Sequence, residues 1–196
     1  MLYKITHTLK DRCPWIWEII EKINAFLFCI RYGRRLDGVD DILEKYNGEY
    51  VIEQLKESNI DELACFFQEQ PDSAFEYFKP HAFDRKTLRK LQRNRSFLAF
   101  VVEKENVIVG YFFLRCFFIG KCFRGKIVDF RFRNMGIAKM MGRIMTDIVE
   151  QIDVRSFSTI SPNNLSSLKS SDAVVNLRVI KQLENGDYYV EYLGKK

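Results

Sequence analysis

One stretch of sequence, residues 128–138, decides the fold and reads Val-Asp-Phe-Arg-Phe-Arg-Asn-Met-Gly-Ile-Ala. The apolar, β-branched residues Ile127 and Val128 predict the end of a strand. The apolar residues that follow Gly136 fall at helical spacing: Ile137, Met140, Met141, Ile144, Met145, Ile148 and Val149. The pattern therefore predicts a strand, a basic turn that contains glycine, and an amphipathic helix.

Such a turn can bind a phosphate group. The turn and the first residues of the helix direct unpaired backbone N–H groups the same way, at the positive end of the helix dipole. Arg133 can add a charged clamp, and Gly136 allows close approach because it has no Cβ. The alternative is an ordinary strand–turn–helix corner in which Gly136 only relieves crowding.

The hexapeptide Arg133–Ala138 resembles the acetyl-CoA-binding signature of the GNAT superfamily of acyltransferases, Arg/Gln-x-x-Gly-x-Gly/Ala. Val128 is similar to the apolar strand end of that family, and Phe132-Arg133 to its aromatic-Arg pair. Phe130 departs from the pattern, because many members have proline there. The resemblance runs from about residue 50 to the C-terminus.

The remaining sequence predicts elements in the order of the GNAT fold. The first are strand Tyr50–Leu55, helix Ile60–Gln70 with Asn59 as N-cap, and helix Arg85 to about Arg95 with Asp84 as N-cap. Next come strands Phe97–Lys104 and Val107–Phe118, joined at Glu105-Asn106, and a turn over Gly120–Gly125. The last are strand Ser156–Ile160, helix Asn164–Ser171, and a hairpin of Leu177–Leu183 and Tyr188–Leu193. The expected class is α/β (α+β), with a mixed, mostly antiparallel sheet and a central pair of splayed parallel strands flanked by helices.

The resemblance implies a site for acetyl-CoA as co-substrate, without a metal. Main-chain groups of Val128 and Phe130 would hold the pantetheine arm, and Arg133 would lie beside the pyrophosphate. The pyrophosphate would accept hydrogen bonds from the backbone of Asn134, Met135, Gly136, Ile137, Ala138 and Lys139. Lys139 and Arg143 either reach phosphate oxygens or are simply solvated.

A second segment, residues 161–168, resembles the Asn-x-x-Ala/Ser element of the same family through Asn164 and Ser167. Asn164 would bond the pantetheine arm, and its other interpretation is a helix N-cap. Both roles can coexist.

The implied reaction is direct attack by an amine on the thioester. It needs a base for the amine proton, and the thiolate leaving group needs either a proton donor or a positively charged environment. Asp129 is the candidate base, as the carboxylate of the strand-end segment, although a surface or Arg131-paired aspartate fits equally. Many members use tyrosine as the acid about seven residues after the asparagine, and that position is Ser171 here, or Ser170 in the alternative register. Serine is a poor acid. Water, a hairpin tyrosine (Tyr188, Tyr189 or Tyr192) or no acid at all are the alternatives.

Composition places the chain among soluble globular proteins, with 196 residues, 47% hydrophobic and 29% charged. The five cysteines are odd in number, and the two histidines stand far apart, which favours a reduced cytoplasmic protein without a metal site. The net charge of +5 gathers in a basic run over residues 85–95 and around the turn. Nucleic acid is the generic partner of such charge, but no recognition motif is present, and the phosphates of CoA fit the second group.

Residues 1–47 predict a helical extension that precedes a domain over residues 48–196. Its apolar stripe consists of Ile16, Ile19, Ile20, Ile23, Phe26, Leu27 and Ile30, with Trp15 and Trp17 at one end and arginines at the other. Packing on the chain's own domain or on a second subunit, as in a homodimer, is favoured over peripheral membrane contact through residues 15–35.

The leading functional interpretation is transfer of an acetyl group from acetyl-CoA to an amine. A small-molecule amine or an amino-sugar nucleotide is favoured over a protein as acceptor. By the resemblance, the aromatic loop over 71–83 and the basic helix over 85–95 correspond to the acceptor region of the family, and basic residues there favour an acidic acceptor such as a nucleotide-linked sugar. The alternatives are a CoA-binding regulatory module that has lost catalysis, motivated by Ser171, and a membrane-surface adaptor built on the N-terminal helix.

Overall fold

The computed structural model of the chain describes residues 14–195. The helices are α1 (Pro14–Leu36), α2 (Val39–Glu44), α3 (Ile60–Glu69), α4 (Arg85–Gln92), α5 (Ile137–Ile152) and α6 (Leu165–Asp172). The strands are β1 (Val51–Gln54), β2 (Phe97–Lys104), β3 (Val107–Phe117), β4 (Lys121–Val128), β5 (Arg155–Ile160), β6 (Val175–Gln182) and β7 (Tyr188–Lys195). Short 3-10 helices cover Glu57–Asn59, Asp72–Phe75 and Phe130–Phe132.

Within residues 14–195 the strands form one sheet in the order β1-β2-β3-β4-β5-β7-β6, in which only β4 and β5 are parallel neighbours. One face packs against α1, α2 and α5, with Ile144 and Ile148 of α5 fully buried. The other face packs against α3 and α4, with Leu63 and Leu88 fully buried. The predicted fold class, a mixed and mostly antiparallel sheet flanked by helices, is confirmed.

The two parallel strands separate along their length. Their paired residues are Lys121 with Arg155, Cys122 with Ser156, and Phe123 with Phe157. Beyond Phe123, β4 stays on β3 and β5 stays on β7, so the two strands end at Val128 and Ile160 without pairing to each other. The predicted splay is therefore present, and it leaves a V-shaped gap lined by backbone groups that lack a ladder partner.

Helix α1 packs on the domain with the face opposite to the one expected. Phe28 and Tyr32 are buried in the core with α5, and Asn24 bonds the carbonyl oxygen of Cys116 and the N–H of Phe118. Most of the predicted apolar stripe points outward instead: Ile19, Ile20, Ile23, Phe26 and Ile30 are exposed, whereas Ile16 and Leu27 are half-buried. None of the helices within residues 14–195 is both long enough and apolar enough to cross a bilayer.

Two local predictions were wrong. The turn predicted over Gly120–Gly125 covers residues 118–120 instead, with Gly120 at a φ of 78°, because β4 begins at Lys121 and Gly125 lies within it, paired with Phe113. A Cβ at Gly125 would stand 2.6 Å from the Phe113 ring, so this glycine serves close packing rather than chain reversal. Asn59 precedes α3 but its side chain does not cap it; the amide accepts from Lys56 N–H and donates to Glu103. By contrast, Asp84 caps α4 through Thr87 N–H as predicted.

Candidate functional site

The turn between β4 and α5 presents an unusual number of free N–H groups. Asn134 and Gly136 adopt left-handed conformations, with φ of 66° and 83°. Among residues 14–195, the backbone N–H groups of residues 134–138 have no hydrogen-bond partner. A Cβ added to Gly136 would meet nothing within 4 Å, so the turn opens outward at that point. This is the geometry of an anion-binding concavity at a helix N-terminus.

Three cations surround this turn. Arg133, Lys139 and Arg143 are exposed, and within the described part of the chain none of them pairs with a carboxylate. Because the α5 dipole adds its positive end at the same place, the local field attracts a multiply charged anion.

Asp129 holds the turn in place. Its carboxylate is fully buried and accepts four hydrogen bonds, from Arg131 N, Nε and Nη2 and from Gln70 Nε2. Burial raises the pKa of Asp129, but these bonds and the Arg131 charge outweigh burial, so the pKa lies below its ordinary value. Four bonds use about all the lone pairs of a carboxylate. The sequence alternative of an Arg131-paired aspartate describes this geometry, and the role of base stays an untested prediction.

One of the main-chain groups expected to bind the pantetheine arm is already hydrogen-bonded within the protein. Phe130 N–H donates to Gln70 Oε1 at 3.1 Å, which leaves its carbonyl group as the available main-chain partner. Val128 ends β4, opposite Gly110, at the open end of the gap. Gln70 thus joins α3 to the turn through both Phe130 and Asp129.

Asn164 caps α6 through the oxygen of its side-chain amide, and the amide nitrogen takes no part in the cap. Its Oδ1 accepts from Ser167 N–H at 3.1 Å and from Ser166 Oγ, whereas its Nδ2 has no partner within residues 14–195. The cap and a donor role can therefore coexist. Ser171 lies buried near the end of α6, and its carbonyl oxygen accepts from Val174 N–H.

Sequence reasoning missed two cations in the half of β4 that does not pair with β5, of which Arg124 is buried and Lys126 is half-buried. Arg124 donates to Thr146 Oγ1 and lies 3.4 Å from the centre of the Tyr192 ring, while its Nη2 has no hydrogen-bond partner among the described residues. Lys126 donates to the carbonyl oxygen of Ala138, in the first turn of α5. Burial, and the charge of Arg124, lower the pKa of Lys126 from 10.5 to about 7.

The signal for this pair was in the sequence. Arg124 and Lys126 alternate with Phe123, Gly125 and Ile127, so the period of a strand puts both cations on the face that α5 covers. Within residues 14–195 neither cation has a carboxylate partner. The hairpin tyrosines divide between the two faces: Tyr192 covers Arg124, whereas Tyr189 stacks on Phe157.

The opposite face of β4 carries an aromatic cluster with one histidine. The cluster surrounds His81 with Phe67, Phe78, Phe83, Phe97, Tyr111 and Phe113. His81 Nδ1 lies 2.8 Å from the carbonyl oxygen of Ala82, so it carries the proton, and Nε2 accepts from the Tyr111 hydroxyl at 3.1 Å. Burial lowers the pKa of His81 below its ordinary value, against weaker opposition from the Ala82 bond and Asp84. The imidazole is therefore neutral near pH 7.

Solved structures resemble this arrangement. The GNAT domain of S. lividans PAT aligns with a TM-score of 0.62 and 12% identity over 72% of this chain and 88% of that one. Mycobacterium smegmatis RimJ in complex with CoA-disulfide aligns with a TM-score of 0.61 and 14% identity over 74% and 81%. The chain has the GNAT fold.

A third structure with this fold is RimL, a ribosomal L7/L12 alpha-N-protein acetyltransferase in complex with CoA, with a TM-score of 0.60 and 15% identity over 74% of this chain and 94% of that one. No protein-family model matches the chain, and no curated protein matches it in sequence. Within residues 14–195, no three His, Cys, Asp or Glu side chains stand together as metal ligands would. The resemblance to these solved structures therefore lies in the fold.

Proposed function

We propose that this protein transfers an acetyl group from acetyl-CoA to a small-molecule amine. The observation that carries the proposal is the coincidence of two features in one place. The turn before α5 has free N–H groups and unpaired cations, and it opens directly onto the gap between β4 and β5. Two structures with this fold, RimJ and RimL, are named as complexes with forms of CoA.

The residues present fit such a ligand. The N–H groups of residues 134–138 and the side chain of Arg133 would hold the pyrophosphate, with Lys139 and Arg143 as further cations. The Lys139 N–H, also expected to bind there, donates instead to the Gly136 carbonyl oxygen at 3.0 Å. Asn164 Nδ2 and the main chain of Val128 and Phe130 would bond the amide groups of the pantetheine arm. When bound, acetyl-CoA supplies an acyl carbon that an amine can attack directly. Asp129 keeps the turn in shape through Arg131 and Gln70.

Lys126 is our candidate for the acid that Ser171 cannot supply. As the new C–N bond forms and the C–S bond breaks, the electron pair leaves on sulfur, and the Lys126 ammonium group donates a proton to it. An acid with a pKa of about 7 is suited to this transfer near neutral pH. Arg124, two residues before Lys126 on the same face of β4, keeps the surroundings of the thiolate positive.

The acceptor would enter from the aromatic face. Phe78 and Phe113 lie against Gly125 in the unpaired part of β4, and His81 belongs to the same cluster. The single lone pair of His81 Nε2 accepts from the Tyr111 hydroxyl. For the amine proton to move to Nε2, the amine N–H would take the place of that hydroxyl as the donor. We therefore assign removal of the amine proton to His81 and keep Asp129 as the alternative base.

The kind of acceptor follows from this face. AAC(6')-Ib, which has the same fold with a TM-score of 0.58 and 11% identity over 72% of this chain and 93% of that one, is described with coenzyme A and kanamycin. Arg85, Arg89 and Lys90 of α4 are already paired with Asp61, Glu57 and Glu18, respectively. These pairs weaken the case for an acidic acceptor at this face. Lys86 and Arg95, which have no carboxylate partner within residues 14–195, line a groove beside α1 and not the aromatic cluster. A neutral or cationic small-molecule amine is therefore the proposed class.

The test is release of free thiol from acetyl-CoA in the presence of a panel of polyamines, aminoglycosides and amino-sugar nucleotides. We expect acceptor-dependent release, and at least a tenfold loss of acetyl-CoA affinity in Arg133→Ala, since charged hydrogen bonds contribute about 1.5–3 kcal/mol each. Arg178→Ala, at the far edge of the sheet, is the control. Binding of acetyl-CoA without turnover would favour the regulatory module instead, and absence of binding would overturn the proposal.

A further inference from the structure

Helix α1 presents an apolar stripe to solvent along most of its length. The stripe consists of Trp15, Ile19, Ile23, Phe26 and Ile30, which are 64%, 47%, 53%, 66% and 68% exposed. At about 100° per residue, all five lie within one quadrant of the helix, and they extend over about 22 Å. A continuous apolar face of this size on a soluble protein marks an interaction surface.

The body of the protein holds this stripe in a fixed direction. Asn24, Phe28 and Tyr32 lie on the opposite side of α1, where Asn24 bonds β3 and the two rings are buried. Arg35 adds bonds to the end of α5, through the Ile152 carbonyl oxygen and Asp153. The stripe therefore faces away from the domain and cannot turn inward without breaking these contacts.

The turn between β3 and β4 widens the apolar surface. Phe118 and Ile119 are 40% and 56% exposed. Phe118 is tied to α1 through its N–H, which donates to Asn24, and its carbonyl oxygen, which accepts from Arg31. Two further large side chains thus stand beside the helix.

A basic groove of about 660 Å³ runs along the stripe, between α1 and α4. Its cations are Lys22, Lys86, Arg89, Lys90, Arg93 and Arg95, and Phe26 of the stripe forms part of its wall. Glu18 and Glu21, its two acidic residues, are neutralised by Lys90 and Arg115. Within residues 14–195, Lys22, Lys86 and Arg95 have no carboxylate partner, so the groove has a net positive charge.

We propose that the stripe and the groove together dock the protein on the surface of an anionic phospholipid bilayer. Apolar side chains would enter the boundary between headgroups and acyl chains, while the cations beside them meet the phosphates. Charge decides against a second copy as occupant, because stripe-to-stripe pairing would bring two sets of unpaired cations together. The inference does not depend on the proposed reaction.

The experiment is flotation of the full chain with vesicles of phosphatidylcholine alone, or of phosphatidylcholine with phosphatidylglycerol. We expect binding only to the anionic vesicles. Phe26→Glu is expected to weaken it by at least roughly tenfold, because it removes a ring that would enter the bilayer and puts a charge in its place. Lys22→Glu is expected to weaken it by more than about fivefold, which is the effect of one cation near such a surface.

The controls are Val179→Glu and Lys181→Glu on the edge strand β6, where both side chains are exposed. They repeat the chemical changes away from α1 and should bind as the wild type does. Equal losses in control and test variants, or no binding to anionic vesicles, would overturn the proposal. A dimer in sedimentation equilibrium that Phe26→Glu dissociates would overturn it in favour of a second copy.

Discussion

Replacing Lys126 by methionine is expected to stabilise the protein while it impairs the proposed reaction. Methionine retains most of the stem and removes an ammonium group that lies under α5, next to Arg124. Buried charges without a counter-ion are costly, and natural proteins keep them where they serve a function. A variant that is more stable and less active would identify Lys126 as such a group.

The magnitude follows from the pKa of Lys126, which falls from 10.5 to about 7. At about 1.4 kcal/mol per pKa unit, this sets a ceiling near 5 kcal/mol on the cost of the charged form. Solvent screening of a side chain that is not fully covered removes about half of it. Loss of the hydrogen bond to Ala138 lowers the expected gain in stability by about 1 kcal/mol more. The expected gain is therefore about 1–2 kcal/mol, or a rise in Tm of about 2–8 °C for a chain of this size.

The stabilisation by Lys126→Met should depend on pH, and the direction follows from the lowered pKa of Lys126. Below the folded-state pKa, Lys126 is charged in both the folded and the unfolded state, so its full cost is present. As the pH rises toward 10.5, the folded protein releases this proton before the unfolded chain does, and the cost fades. The advantage of Lys126→Met should therefore be largest near pH 6 and small near pH 10.

Urea unfolding at several pH values measures this difference, with Lys139→Met as the control for an exposed cation on α5. The control should change stability by less than about 0.5 kcal/mol at every pH. A Lys126→Met variant that is less stable than the wild type near pH 6, or whose advantage does not change with pH, would refute the reasoning.

Two further variants test the other buried polar groups. Asp129→Asn should lower the free energy of unfolding by about 2–4 kcal/mol near pH 7, because the buried side chain loses charge-assisted bonds and its new NH2 group faces donors of Arg131 or Gln70; an unchanged urea midpoint would contradict this. Since the pKa of Asp129 is lowered, the stability it contributes is present above its unfolded-state pKa and is lost as the pH falls through the folded-state value. Tyr111→Phe should leave His81 Nε2 without its donor and cost about 1–3 kcal/mol. In an NMR titration His81 should be neutral at pH 7, and a charged imidazole there would argue against its role as base.

The sequence predicts the framework of the fold well because its signals are local. The hairpin of β2 and β3 is confirmed, with Glu105 and Asn106 both at positive φ, as a tight hairpin turn requires. Gly136 predicts the turn before α5, and its φ of 83° explains why a glycine stands at this position. The splay was expected only through the resemblance to the GNAT family.

The tertiary partners could not be predicted in the same way. The stripe on α1 predicts a helix, but the helix packs through Phe28, Tyr32 and the polar Asn24, which bonds two strand groups that are remote in sequence. Gly125 was read as a turn residue because nothing in the sequence shows that Phe113 lies across from it. The sequence shows no role for His81 beyond metal binding, because its contact with Tyr111 joins residues 30 apart.

Calorimetric titration of acetyl-CoA into the wild type, Gly136→Ala and Gly186→Ala tests the central claim most directly. Both glycines have left-handed φ and open space around a new Cβ, so each substitution should cost about 1 kcal/mol of stability for the same reason. Gly136 lies in the proposed pyrophosphate turn, whereas Gly186 lies in the β6–β7 hairpin. The account predicts one-to-one binding that Gly136→Ala weakens at least about tenfold and Gly186→Ala leaves unchanged. Equal affinity in all three proteins, or no binding to the wild type, would contradict it.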